Sequence, residues 1–475
     1  MSRSLLRRLS LHRLRLPWLL ALATLLSACA STAHYPINPP LAAVTPHEGY
    51  RARGLFRQAG DEELMVIVTF SGGGSRAAAL AYGVLEQLAR TPIKWHGRPQ
   101  RLLDEVDLVA GVSGGSITAA YWALAGDRIF EDFEPRFLQR DLQSRLIDRI
   151  TSVRDFWRTT SPRFGRGDLL AEELDQALFQ GATFGDLVRR DRGPMAIISA
   201  AELSTGARFD FLQETFDWLC SDLSRFPLAR AVAASSSVPL LFSPITLWNR
   251  AGECGTPTDL RSLITPEQLA TLQGTRLERR MKDDLRLQDR NALPYLHLVD
   301  GGVADNLALR GLLDLDGLAR LSPQKLFDKA DLENVKRLVV VAVDAGNEST
   351  TTIASSADVP KVGQVAEALS DVLIARYSDE TRALVAEVFQ HWRSLKTADQ
   401  QQLPIHIVPV SFRLLPDEQQ RRELLALPTS LFLPAEQVQR LRQAAGQLVR
   451  QSPDYQRLVR EIGAPSPATG SGNAD

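Results

Sequence analysis

Cysteine, histidine and net charge are all scarce in this chain of 475 residues. Its 3 cysteines include no Cys-x-x-Cys pair, so a thiolate-held zinc site is not expected. A formal net charge of −1 argues against a nucleic-acid binder, which carries a strong basic excess. No block of like charge and no internal repeat stands out. The one long apolar run, Leu16 to Leu26, is shorter than the roughly 20 residues a membrane-spanning helix needs. The 7 histidines are dispersed, which leaves few candidates for a general base.

Residues 1–28 read as an export signal. Arg3, Arg7, Arg8, Arg13 and Arg15 form a basic start, and the apolar run ends in Leu26-Ser27-Ala28-Cys29. This pattern resembles a bacterial lipoprotein signal. The resemblance implies cleavage before Cys29 and lipid on the new terminal cysteine. It also implies a lipid-anchored protein of the cell envelope, with Ala30 favouring the outer membrane. Each buried acyl CH₂ contributes roughly 0.8 kcal/mol, so several chains anchor stably. Residues 29–60 then read as a Pro- and Ala-rich tether. Cys220 and Cys254 remain. An oxidising compartment permits them to pair, and the sequence leaves the pairing open.

Strands and helices alternate after the tether. Leu64–Phe70, Val106–Ala110, Met195–Ala200 and Tyr295–Val299 are short apolar runs of β type, and Leu338–Val343 is continuous and β-branched, as a central strand should be. Helical patterns occupy about 77–89, 116–122, 230–236 and 365–392, and recur from about 435. Residues 405–412 suit a late strand. The alternation predicts an α/β fold with a mostly parallel sheet covered on both faces. The expected organisation is a catalytic domain over 61–350, a mainly helical part over 351–463 packed on it or continuing it, and a disordered tail over 464–475. Segments 130–193 and 249–291 are candidates to cover the active site.

Gly111-Val112-Ser113-Gly114-Gly115 lies between a strand and a helix. In that context Gly-x-Ser-x-Gly makes a nucleophile: the glycines allow a turn that pushes the hydroxyl out, beside the free N–H groups of the helix start. The earlier loop, Gly72-Gly73-Gly74-Ser75-Arg76-Ala77, also fits a dinucleotide fingerprint. That fingerprint needs an acidic residue at the end of the second strand, where this chain has Ser113, so no nucleotide cofactor is expected. No Gly-Lys-Ser/Thr follows either, which excludes a P-loop. An oxyanion hole is the better use: Gly73 and Gly74 as donors, with Gly72 and Gly114 beside them, and Arg76 supporting the loop.

A serine hydroxyl needs a base. His12 and His34 precede the domain, His47 and His96 sit outside any catalytic turn, and His391 and His406 lie on a helix and a strand. His297 reads as a packed strand residue. Asp300-Gly301-Gly302 instead sets a carboxylate at a strand end, held by a tight turn. Such a base needs burial or a neighbouring charge, since an ordinary aspartate titrates near 3.9.

Together these segments resemble the patatin-like phospholipase family. The resemblance rests on Gly72–Arg76, Gly111–Gly115, the block Ala233-Ala234-Ser235-Ser236-Ser237-Val238-Pro239-Leu240-Leu241-Phe242-Ser243-Pro244, and Asp300-Gly301-Gly302 with Asn306 after it. It spans about 64–309. Ala77 departs from it, standing where the family commonly has a further glycine. The resemblance implies a three-layer α/β/α fold and a Ser113–Asp300 dyad that needs no histidine, metal or cofactor. The substrate it implies is a membrane lipid ester, cleaved through an acyl-serine. General carboxylesterase or acyltransferase chemistry on the same dyad is an alternative, as is a non-catalytic envelope lipoprotein. Head group, chain length and oligomeric state are not encoded in any motif.

Overall fold

The computed structural model describes residues 35–52, 63–190, 193–255, 265–321, 335–348, 353, 356–394 and 402–463. The signal segment, Cys29 and the 464–475 tail lie outside the described residues. The first strand, β1 (Leu64–Phe70), is buried along its whole length, which a strand achieves only with both faces covered. β2 (Pro92–Trp95) and β3 (Arg98–Arg101) form a separate hairpin. The remaining strands are β4 (Val106–Val112), β5 (Met195–Glu202), β6 (Arg208–Asp210), β7 (Ile245–Trp248), β8 (Tyr295–Val299), β9 (Arg337–Asp344) and β10 (Ile405–Ser411). They join β1 in one sheet of order β10-β9-β1-β4-β5-β8-β7, with β6 on β5.

The pairs from β10 to β5 are parallel. β6 and β8 run antiparallel to β5, and β7 runs antiparallel to β8. The sheet is therefore mixed, and Asp300 leaves a strand that runs against β5 rather than along it. Its level is nonetheless correct, because Ser199 of β5 pairs with Val112, the residue before Ser113, and Ala201 pairs with Val299, the residue before Asp300.

Six helices matter here: α1 (Gly74–Ala89), α2 (Gly114–Ala125), α3 (Leu228–Ser235), α4 (Arg310–Leu321), α5 (Val362–Trp392) and α6 (Ala435–Gln451). Alternating strand residues divide the core into two. Val66, Val68, Phe70, Val339, Val341, Val408 and Val410 join α1, α2, α3 and α6 in one cluster. Met65, Ile67, Leu338, Val340, Ile405 and Ile407 join α4 and α5 in another. The period of two along each strand thus produces the three-layer α/β/α fold.

Part of the expected tether is structural instead. Tyr50 lies in the main core, Asn38 is buried with hydrogen bonds to Ser221 and Trp248, and Arg51 forms a buried ion pair with Asp217 at 2.7 Å. A polar group is buried only when such partners satisfy it, so 35–52 belongs to the domain. Cys220 and Cys254 form a disulfide.

Candidate active site

Ser113 sits at φ 51°, between the end of β4 and the start of α2. A non-glycine residue is rarely held there unless its surroundings enforce it. Here Ser235 does so. The Ser113 N–H donates to Ser235 Oγ at 2.9 Å, and that hydroxyl donates to the Ser199 carbonyl at 2.7 Å. The Ser113 carbonyl accepts from the Ser116 hydroxyl at 2.6 Å. Gly114 has no room for a side chain: a Cβ there would lie 2.0 Å from the Gly74 carbonyl oxygen. The starts of α1 and α2 therefore press backbone against backbone.

The same small-residue block that holds Ser113 also holds the aspartate. The Asp300 N–H donates to the Ser237 carbonyl at 2.8 Å, and the Gly301 N–H to the Ser235 carbonyl at 3.1 Å. Ser235 thus links the Ser113 turn to Gly301, the neighbour of Asp300, a role that its place in a run of three serines did not single out. One carboxylate oxygen of Asp300, Oδ1, accepts from the Gly302 N–H at 2.7 Å. The other, Oδ2, is buried with no complete hydrogen bond. Burial pushes the carboxyl up from 3.8 to about 6, against the opposing pull of the Gly302 N–H and the Ser113 hydroxyl. The serine is thus the side chain that acts on Asp300, in a geometry short of a full hydrogen bond.

The glycine loop divides its donors. The Gly72 N–H donates to the Asn306 carbonyl at 2.9 Å, and the Ser75 N–H to the Ser430 carbonyl at 2.8 Å. Gly72 is therefore removed from the expected set of oxyanion donors, because its hydrogen is already used. Gly73, Gly74 and Gly114 remain, at two helix starts whose first N–H groups have no intrahelical acceptor. Arg76, expected to support the loop, lies inside the fold. It is 1% exposed, and it donates to the Ala345 carbonyl at 2.8 Å, the Leu427 carbonyl at 2.5 Å and Thr429 Oγ1 at 3.2 Å. Burial lowers its pKa to about 10, opposed by Asp344 and Asp371.

Ser113, Asp300, Gly72, Gly73, Arg76 and Asn306 line one pocket of about 140 Å³. Its far wall is α5, through Asp371, Ile374, Ala375, Ser378, Asp379 and Arg382. Among the described residues of 130–193 and 249–291, the expected covering segments, none lines that pocket, and α5 does so instead. Among the described residues, no histidine lines the pocket. His297 is exposed and meets Thr246 at 3.0 Å rather than packing inside the strand. His391 pairs with Asp316, and His406 lies beside Arg337 and Glu461. Among the described residues, no cluster of His, Cys, Asp or Glu is arranged to hold a metal ion.

The family model described as patatin-like phospholipase matches residues 68–313. No curated protein matches the chain. Among solved structures, a human GIVD cytosolic phospholipase A2 is similar at 14% identity and a TM-score of 0.41, over 86% of this chain and 64% of that one. The same human enzyme in complex with methyl gamma-linolenyl fluorophosphonate gives 12% identity and a TM-score of 0.37, over 86% and 61%. The chain thus spans less than two thirds of either human structure.

Proposed function

This chain belongs to the patatin-like phospholipase family, and from that premise we propose that it is a lipid acyl hydrolase working through Ser113 and Asp300. The observation that carries this reading is the pairing in one pocket of a serine on a strained strand-to-helix turn with a buried carboxyl whose Oδ2 has no other partner. Ser113 Oγ attacks the ester carbonyl carbon and passes its proton to Asp300. The carbonyl oxygen takes the negative charge, which the N–H groups of Gly73, Gly74 and Gly114 stabilise. The C–O bond to the alcohol then breaks, and Asp300 returns the proton to the leaving oxygen. Water attacks the acyl-serine next, giving its proton to Asp300. Release of the fatty acid restores the Ser113 hydroxyl. A carboxyl near 6 serves this cycle better than an ordinary aspartate, because its basicity lies closer to the working pH.

The sequence around Cys29 supports a lipid anchor that holds the enzyme at its substrate membrane, and the Cys220–Cys254 disulfide suits an oxidising compartment. One experiment tests the reading: labelling by a fluorophosphonate in membrane and soluble fractions of cells expressing the full chain. Labelling is expected in the membrane fraction of the wild type and of His297→Ala, and is lost in Ser113→Ala. Ester hydrolysis is expected to fall at least a thousandfold in Asp300→Asn. Retained labelling in Ser113→Ala, or loss of activity in His297→Ala alone, overturns the dyad. Wild-type label confined to the soluble fraction overturns the anchor.

A further inference from the structure

The pocket around Ser113 is too small to hold a lipid chain. At about 140 Å³ it falls below the roughly 300–1,000 Å³ of ordinary ligand sites. A second cleft adjoins it. This one measures about 470 Å³ and runs between α5 and the C-terminal ends of β9 and β10. Its walls are apolar: Leu307, Leu309, Val385, Phe389, Ile407 and Leu414. Two side chains, Arg382 and Arg413, line both spaces and so mark the junction.

The two guanidiniums differ in how firmly they are held. Arg382 Nε donates to Asp344 Oδ2 at 2.9 Å, and its Nη1 donates to Asp379. Arg413 stands 3.8 Å from Asp344 and 4.0 Å from Glu348, beyond hydrogen-bond length. Arg413 therefore has donor capacity to spare, at the point where a nucleophile pocket opens into an apolar cleft. That arrangement is amphiphilic in the same order as a fatty acid: a carboxyl group, then a hydrocarbon chain.

We propose that the cleft between α5 and β9–β10 receives the fatty acyl chain of the substrate, and that Arg413 binds the carboxylate once water has released it from Ser113. The inference rests on the Ser113–Asp300 reading for its timing. Fatty-acid binding itself requires no turnover. The ligand is a long-chain carboxylate, since a short one leaves the apolar cleft empty and a long-chain alcohol leaves Arg413 without a partner.

The test uses the full chain in the inactive Ser113→Ala background, with [³H]palmitate in equilibrium dialysis. Ala386 lines the cleft from the exposed face of α5, so Ala386→Trp adds bulk there without displacing a core side chain. Palmitate binding is expected to weaken at least tenfold in Ala386→Trp. Arg413→Ala should weaken palmitate to a similar degree while leaving hexadecanol unchanged. In the active chain, the ratio of kcat/KM for p-nitrophenyl palmitate over p-nitrophenyl butyrate should fall at least tenfold in Ala386→Trp. Palmitate binding and chain-length ratio both unaltered in a folded Ala386→Trp protein overturn the proposal, and so does equal loss of palmitate and hexadecanol in Arg413→Ala. A wild type that hydrolyses neither ester overturns the dyad instead, and the dialysis still decides the cleft.

Discussion

Asp300 is held where a carboxylate is poorly solvated, a placement that suits the base we propose it to be. Burial raises its pKa from 3.8 to about 6, against the opposing pull of the Gly302 N–H and the Ser113 hydroxyl. A base must be ionised to accept a proton, so kcat/KM should fall about tenfold per unit below pH 6 and level off above it. A pH–rate profile with its acid limb near 4 refutes the assignment. The same shift has a stability sign. The folded state binds this proton more tightly than the unfolded chain does, so stability is lost as pH rises from 3.8 through about 6. Above that window the ionised carboxyl costs at most about 3 kcal/mol. Asp300→Asn removes that cost. Its melting temperature should therefore exceed the wild type's at pH 7.5 and converge with it only as pH falls below about 3.8, although activity is gone. A variant less stable than wild type at pH 7.5 indicates that the ionised carboxyl is not penalised in the fold.

At the scale of elements, the site is a meeting of two helix starts and one small-residue block. α1 and α2 approach so closely that a Cβ on Gly114 would lie 2.0 Å from the Gly74 oxygen and 2.8 Å from its nitrogen. Both listeners to that contact are backbone, so no rotamer change relieves it. Gly114→Ala should separate the helix starts and misplace the Gly73 and Gly74 N–H groups. Loss of one oxyanion donor costs about 3 kcal/mol of barrier, so kcat is expected to fall by a factor of a hundred or more. Steady-state kinetics on folded protein measure this, and a change under threefold excludes the proposed donors. The nucleophile turn and the glycine loop were legible in the sequence because their chemistry demands special local backbone, which writes glycine at fixed spacings. Ser235 was not legible as the link between Ser113 and Gly301, since its role depends on long-range register. The antiparallel course of β8 was hidden likewise: five apolar residues read the same in either direction. The covering role of α5 escaped because helical periodicity shows that a helix has an inner face, but not which pocket that face closes.

Across the whole molecule, the family match ends at residue 313, yet the glycine loop is held from far beyond it. Arg76 at the start of α1 donates to Leu427 and Thr429, and Ser75 donates its N–H to the Ser430 carbonyl. Those residues lead directly into α6, which packs along α1 in the same core as β1. β10 extends the sheet beside β9, so the C-terminal part continues the catalytic fold rather than standing apart from it. This integration makes a remote position decisive. Gly83, on α1, has no space for a Cβ: it would meet the Arg442 backbone at 2.7 Å and Ala445 at 2.8 Å. Gly83→Val should push α6 outward and loosen the 427–430 strap with it. Overpacking of this kind costs typically 1–3 kcal/mol, enough to lower the melting temperature by several degrees. The hydrolytic rate should fall at least tenfold even at temperatures where circular dichroism shows the variant folded, because about 1.4 kcal/mol of lost transition-state stabilisation is sufficient. If the melting temperature drops while the rate per folded molecule stays at the wild-type value, the strap does not position the glycine loop, and the C-terminal part contributes stability alone.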